Sequence, residues 1–274
     1  MRILLTNDDG IDSVGLHLLA RAMLPHGDVV IAAPDKEYSG AGAALGTLHL
    51  IRPEVRRVHV EGIAEAWAVS GPPALCVMFS RLGAFGPPFD LVVAGINPGA
   101  NVGRSVYHSG TIGAALTARN GLISGVAVSQ AVAGNGIEGQ GWDEMLVGQK
   151  WETAATVAGA FVAGLVENLP ADPVVVNLNV PNLEVSEIKG WRQARVGLEP
   201  PRRVSSATLE PKVGFDGTFH VHMEWGDALD LPADSDGGLV EHGYVAVTYL
   251  SRMQQDNRPD MHAGEQSLSQ LVGR

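Results

Sequence analysis

A chain of 274 residues with 45% hydrophobic and 18% charged residues has the make-up of a folded globular protein, and no apolar run approaches the ~20 residues of a membrane-spanning helix. Its formal charge of −11 argues against a nucleic-acid polymer as partner, because such binding rests on surplus lysine and arginine, yet leaves room for a small phosphorylated ligand carried on a cation. Cys76 is the only cysteine, so no intrachain disulfide can form, which suits a reducing, cytoplasmic setting.

The first apolar run, Ile3-Leu4-Leu5, is too short for a secretory signal and reads as a strand buried on both faces of a parallel sheet. It leads into Asn7-Asp8-Asp9-Gly10. Adjacent residues on a strand face opposite ways, so Asp8 and Asp9 can serve one ion only where the strand has already ended, and Gly10 allows the turn. Leu16, Leu18, Leu19, Ala22 and Met23 then recur at helical spacing up to Pro25 and Gly27, and Val29–Ala33 forms the next strand. That strand runs through Ala33-Pro34 to Ser39-Gly40, placing a hydroxyl at the same sheet end as the two acids. Further strands are predicted at 67–69, 91–94, 126–128 and 174–178, separated by helices near 73–82, 110–120 and 150–167. The alternation predicts an α/β, Rossmann-like three-layer sandwich with a mostly parallel sheet. Cys76 falls in the apolar run Ala74–Phe79 and reads as packed core.

The strand from Asp90 ends in Gly95-Ile96-Asn97-Pro98-Gly99-Ala100-Asn101-Val102-Gly103. Two carboxylates, the Ser39 hydroxyl and the Asn97 amide oxygen make a donor set suited to a hard cation such as Mg²⁺ or Mn²⁺. Ser109-Gly110-Thr111 opens a helix, whose first-turn N–H groups can cap on Ser109 or receive a phosphate. Beyond residue 189 proline pairs, an Asp216-Gly217 turn and the alternating run Thr218–Met223 predict a β-hairpin appendage, followed by a returning strand in Gly243–Leu250. The expected division is 1–188 catalytic core, 189–230 hairpin and oligomerisation appendage, and 231–274 returning strand and tail. His220 and His222 share one strand face but lack a third ligand, and the five tryptophans read as core or interface residues.

In this order, Asn7-Asp8-Asp9-Gly10, Ala33-Pro34 through Ser39-Gly40, Gly95-Ile96-Asn97 through Asn101-Val102-Gly103, Ser109-Gly110-Thr111 and Asn179-Val180-Pro181 resemble the survival protein E (SurE) family of metal-dependent 5′-nucleotidases and acid phosphatases. The resemblance implies a Rossmann-like core, a swapped or extended C-terminal segment and homo-oligomers, dimers or tetramers, built from dimers. It further implies one divalent cation per subunit, held by Asp8, Asp9, Ser39 and Asn97, with phosphate received near Asn101 and Ser109-Gly110-Thr111. Hydrolysis of nucleoside 5′-monophosphates by metal-activated water is then expected, with Asp8 or Asp9 available as base. The alternatives are a phosphatase for one metabolite and a non-catalytic nucleotide-binding protein. Three departures from the family pattern stand out. Pro72 and Leu75 replace a hydroxyl and a carboxylate in Ser70–Val77, and His108 stands where relatives carry tyrosine, positions expected to tune substrate choice. Ser235-Asp236 replaces the common Thr-Asp, a mild change.

Overall fold

The computed structural model describes residues 1–46, 52–132, 146–199, 204–227, 229–251, 253 and 259–272. Strands β1 (Arg2–Thr6) and β2 (Asp28–Pro34) are joined by helix α1 (Val14–Met23), and the hairpin β3 (Val55–Val60) and β4 (Ile63–Val69) follows. Helix α2 (Pro73–Arg81) leads to β5 (Leu91–Pro98), α3 (Gly110–Asn120) to β6 (Ser124–Gln130), and α4 (Trp151–Glu167) to β7 (Val175–Val180). The chain continues through β8 (Trp191–Gln193), β9 (Val204–Pro211), β10 (Phe219–Trp225), helix α5 (Asp236–Glu241), β11 (Val245–Leu250) and helix α6 (His262–Val272).

One sheet carries nine of these strands in the order β3-β4-β2-β1-β5-β6-β7-β11-β8, and β9 and β10 pair apart from it. The run from β4 to β7 is parallel, while β3 and β11 are antiparallel to their inner neighbours. Strand alternation explains the layers. Ile3, Leu5, Val93, Val126 and Val128 face α1 and α4, where Leu16, Leu19, Ala158 and Val162 are buried. Leu4, Val30, Val92 and Ala94 face α2 and α3, where Cys76, Val77, Ala114 and Ala118 close the second core. Cys76 is wholly buried and burial pushes its thiol up, as expected of a packing residue.

Chain order and strand order part company at β1. The chain leaves β1 toward β2 on one side and returns from β4 to β5 on the other, so the carboxyl ends of β1 and β5 flank a topological switch point. That crevice is where open α/β sheets bind ligands.

Three elements depart from the sequence reading. Strand β3 was not anticipated, because Arg56, Arg57 and His59 on an exposed edge mask the period-2 pattern. Strand β8 falls inside the stretch expected as an appendage yet pairs with β11 in the main sheet. Residues 262–272, expected only as tail, form an exposed helix bearing Leu268, Leu271 and Val272 on its surface. Among the described residues no helix is long and apolar enough to cross a membrane. Trp67 and Trp151 pack against the cores, whereas Trp191 is exposed; Trp142 lies outside the described residues.

Candidate active site

Strand β1 ends at Thr6, so Asp8 and Asp9 sit in the turn beyond it, freed from strand alternation. The turn is closed by Asn7, whose side-chain oxygen accepts from the Gly10 N–H at 3.2 Å and whose amide donates to the Gly10 carbonyl at 3.0 Å. Gly10 has φ +102°, and an added Cβ would stand 3.3 Å from the Lys36 backbone, so the position demands glycine on both counts.

Asp8 is buried, and its carboxylate is held by the first turn of α3: Oδ2 accepts from the Gly110 N–H at 3.1 Å, and Oδ1 accepts from the Thr111 hydroxyl. Burial raises its pKa, while the Thr111 hydroxyl and the backbone N–H groups of Gly110 and Thr111 pull the other way. The same Thr111 hydroxyl lies 3.5 Å from the Asn97 side-chain oxygen, joining the ends of β1 and β5 through α3. Asn97 itself is turned by its amide, which donates to the Gly99 carbonyl at 2.8 Å and leaves its Oδ1 toward this centre.

Asp9 is in a different condition. Its Oδ2 is buried with no hydrogen-bond partner, and burial first, then the nearby charges of Asp8 and Glu37, push its carboxyl up to about 8. Two adjacent acids in this state are costly for a protein left to itself. A cation removes that cost by favouring both ionised forms. Among the described residues no three His, Cys, Asp or Glu side chains cluster as ligands, so an ion here needs neutral oxygens as well. The Asn97 amide oxygen is placed to serve. Ser39 stands on the same rim, because the Tyr38 N–H donates to the Asp8 carbonyl at 2.7 Å, but it is exposed and its hydroxyl makes no hydrogen bond to either carboxylate.

The expected phosphate residues divide. Ser109 is the N-cap of α3, its hydroxyl accepting from the Ile112 N–H at 3.1 Å, and the Gly110 N–H is engaged by Asp8. Asn101 is a structural hub: its side chain donates to Ser129, its N–H donates to Asn179 Oδ1 at 2.8 Å, and its carbonyl accepts from the amides of Asn177 and Asn179. His108 is exposed, with its carbonyl accepting from the Gly42 N–H at 3.0 Å. Pro72 opens α2, and Leu75 is buried and touches Gly71.

A model for survival protein SurE matches residues 3–202. The chain belongs to the SurE family. The 5′-nucleotidase SurE of Acinetobacter baylyi is 34% identical over 255 residues, covering 90% of this chain and 92% of its own. That of Haemophilus ducreyi is 36% identical over 250 residues, covering 90% and 92%. The crystal structure of the SurE protein from Aquifex aeolicus superposes with a TM-score of 0.73 at 27% identity, over 99% of each chain.

The role of one buried carboxylate of this SurE chain escaped the sequence reading. Asp236, at the start of α5, has Oδ1 accepting from the N–H groups of Gly197 and Gly237 at 2.9 Å and Oδ2 accepting from Gly103 at 3.1 Å. It ties the loop after β5 to the C-terminal part of the chain. Its Ser235 neighbour is the N-cap, so the sequence signal was present as a Ser-Asp helix start. Removing a buried acceptor of several N–H groups strands them, so Asp236→Ala is expected to cost about 3 kcal/mol in urea unfolding. A change under half that size would show that the loops hold without it.

Proposed function

We propose that this SurE-family hydrolase removes phosphate from phosphomonoesters, nucleoside 5′-monophosphates first among them, with one divalent cation, Mg²⁺ or Mn²⁺, per subunit. The observation that carries the reading is the unpartnered, buried Asp9 Oδ2 beside Asp8 at the switch point of the sheet. The relatives' name, 5′-nucleotidase SurE, supports the nucleotide part of the reading. Asp8, Asp9 and Asn97, with Ser39 on the rim, would hold the cation, which neutralises phosphate charge and acidifies water when bound. The chain's own part is orientation: α3 fixes Asp8 through Gly110 and Thr111, and the Gly99 contact aims Asn97. The positive end of the α3 dipole favours an anion at the same place.

Phosphate release from nucleoside monophosphates, sugar phosphates and p-nitrophenyl phosphate, with Mg²⁺, Mn²⁺ or chelator, tests this directly. Cation-dependent turnover of nucleotides is expected. Equal turnover in chelator, or none on any ester, rejects it. In the same assay His108→Tyr, at an exposed position outside the carboxylate centre, should keep turnover within about tenfold of the parent while altering KM or the acidic limb of the pH profile. Abolished turnover at every pH would make His108 an obligatory acid.

The exposed apolar residues Val213, Phe215, Phe219 and Val221 on and beside the β9–β10 hairpin support a homo-oligomer built through it. Light scattering at micromolar concentration should give a multiple of the 28.8 kDa chain mass, and a clean monomer would contradict this. The reading places the enzyme in the cytoplasm.

A further inference from the structure

The loop after β5 has two working sides. Asn97 faces Thr111 and Asp8, whereas Ala100 and Val102 line a separate cleft of about 280 Å³, near the small end of ligand-binding cavities. Its other walls include Ala131 just past β6, Pro181 just past β7, and Val240 and Glu241 of α5. The Asn179-Val180-Pro181 block, which the carboxylate centre does not use, builds this cleft: the Asn177 and Asn179 amides clamp the Asn101 carbonyl and so fix Ala100 and Val102 on either side of it.

The cleft opens at the same end of the sheet as Asp8 and Asp9. Strands β1, β5, β6 and β7 are consecutive in the sheet, so two to three strand spacings, about 10–14 Å, separate the carboxylates from its middle. Cation, phosphate and ribose in series bring a base from the carboxylates across such a gap; the shorter p-nitrophenyl ester leaves the cleft empty. The walls are mainly apolar side chains. The Glu241 carboxylate stands at the lip and makes no hydrogen bond among the described residues.

We propose that this cleft receives the base of a nucleotide substrate, with the apolar walls packing on its faces and Glu241 accepting hydrogen bonds from donors on its edge. Guanine presents a ring N–H and an amino group side by side, which a carboxylate can accept together, so GMP is the favoured nucleotide. This rests on the phosphatase reading, which sets the phosphate at Asp8 and Asp9.

The test compares kcat/KM for GMP, AMP, UMP and p-nitrophenyl phosphate in the cation-loaded parent, Glu241→Gln and Ala131→Leu, the last filling the cleft from its wall. Expected are a preference for GMP in the parent, a loss of at least about tenfold on GMP in Glu241→Gln, and a similar loss on all three nucleotides in Ala131→Leu. Hydrolysis of p-nitrophenyl phosphate should stay within twofold in both variants. Unchanged nucleotide kinetics in both variants, a parent that does not prefer GMP, or losses that fall equally on p-nitrophenyl phosphate would each overturn the assignment. A parent that cleaves p-nitrophenyl phosphate, with variants that show none of the expected losses, sinks the base site alone, whereas a parent inert toward every ester sinks the phosphatase reading beneath it.

Discussion

Asp9→Asn is expected to cut phosphate release by about a hundredfold or more while raising the stability of the cation-free protein, and Asp8→Asn should cost a comparable rate. The two effects of the Asp9 change have one cause. Its Oδ2 is buried with no hydrogen-bond partner and a second acid stands beside it, so the ionised carboxylate is a burden on the cation-free fold and a bound cation would relieve it. Turnover by folded Asp9→Asn within about tenfold of the parent would remove Asp9 from the machinery.

The pH dependence follows with a definite sign. In chelator, the folded protein keeps a proton on Asp9 up to about 8, whereas the unfolded chain loses it near 3.8. The folded state therefore binds more protons between these values, so this group's contribution to stability falls as pH rises from about 4 to about 8 and then levels off. Asp9→Asn should flatten that slope in thermal melts taken with chelator. A saturating divalent cation favours the ionised carboxylate, so the rise in melting temperature that it brings should grow with pH over the same window. A parent whose cation-free stability rises steadily across that window would contradict the raised Asp9 carboxyl.

How much of this was legible in the sequence depends on whether the determining contacts are local. Ile3–Leu5, Val29–Ala33 and Leu91–Ala94 announce buried parallel strands by composition alone, and Asn7–Gly10 announces a turn by its own side-chain bonds. The adjacent acids could be marked as a candidate pair for one ion because a turn at that point frees both from alternation, and the turn is there. The contacts of Asp236 and Gly113 could not be read in the same way. Asp236 acts on Gly103 and Gly197, 133 and 39 residues distant, and a Cβ on Gly113 would stand 2.1 Å from the Gly42 carbonyl oxygen, a contact between segments far apart in the chain. The double use of Ser109 and Gly110 is a similar case. The motif Ser-Gly-Thr correctly marks a helix start, but that its first free N–H would serve Asp8 depends on where β1 ends.

Gly110→Ala should lower cation affinity and turnover by at least about tenfold in a protein that still folds. An added Cβ at residue 110 would lie 2.7 Å from the Asp8 Cβ and 2.8 Å from its Oδ2, closer than side-chain atoms approach one another. Asp8 is buried and held on both oxygens, so it cannot swing aside without giving up the Gly110 or Thr111 contact. Alanine is otherwise the better helix former, and residue 110 has no left-handed backbone to forbid it, so intrinsic propensity alone predicts a small gain. Gly164→Ala isolates that propensity term: Gly164 is an exposed residue of α4 with nothing within 4 Å of an added Cβ, and the change should add about 0.5–1 kcal/mol without touching turnover. The difference between the two variants therefore measures the Asp8 contact itself. Cation titration by calorimetry alongside steady-state rates decides the matter. If Gly110→Ala binds Mn²⁺ and turns over as the parent does, the approach of α3 to Asp8 positions nothing, and the ordering of the carboxylate by the helix start must be given up.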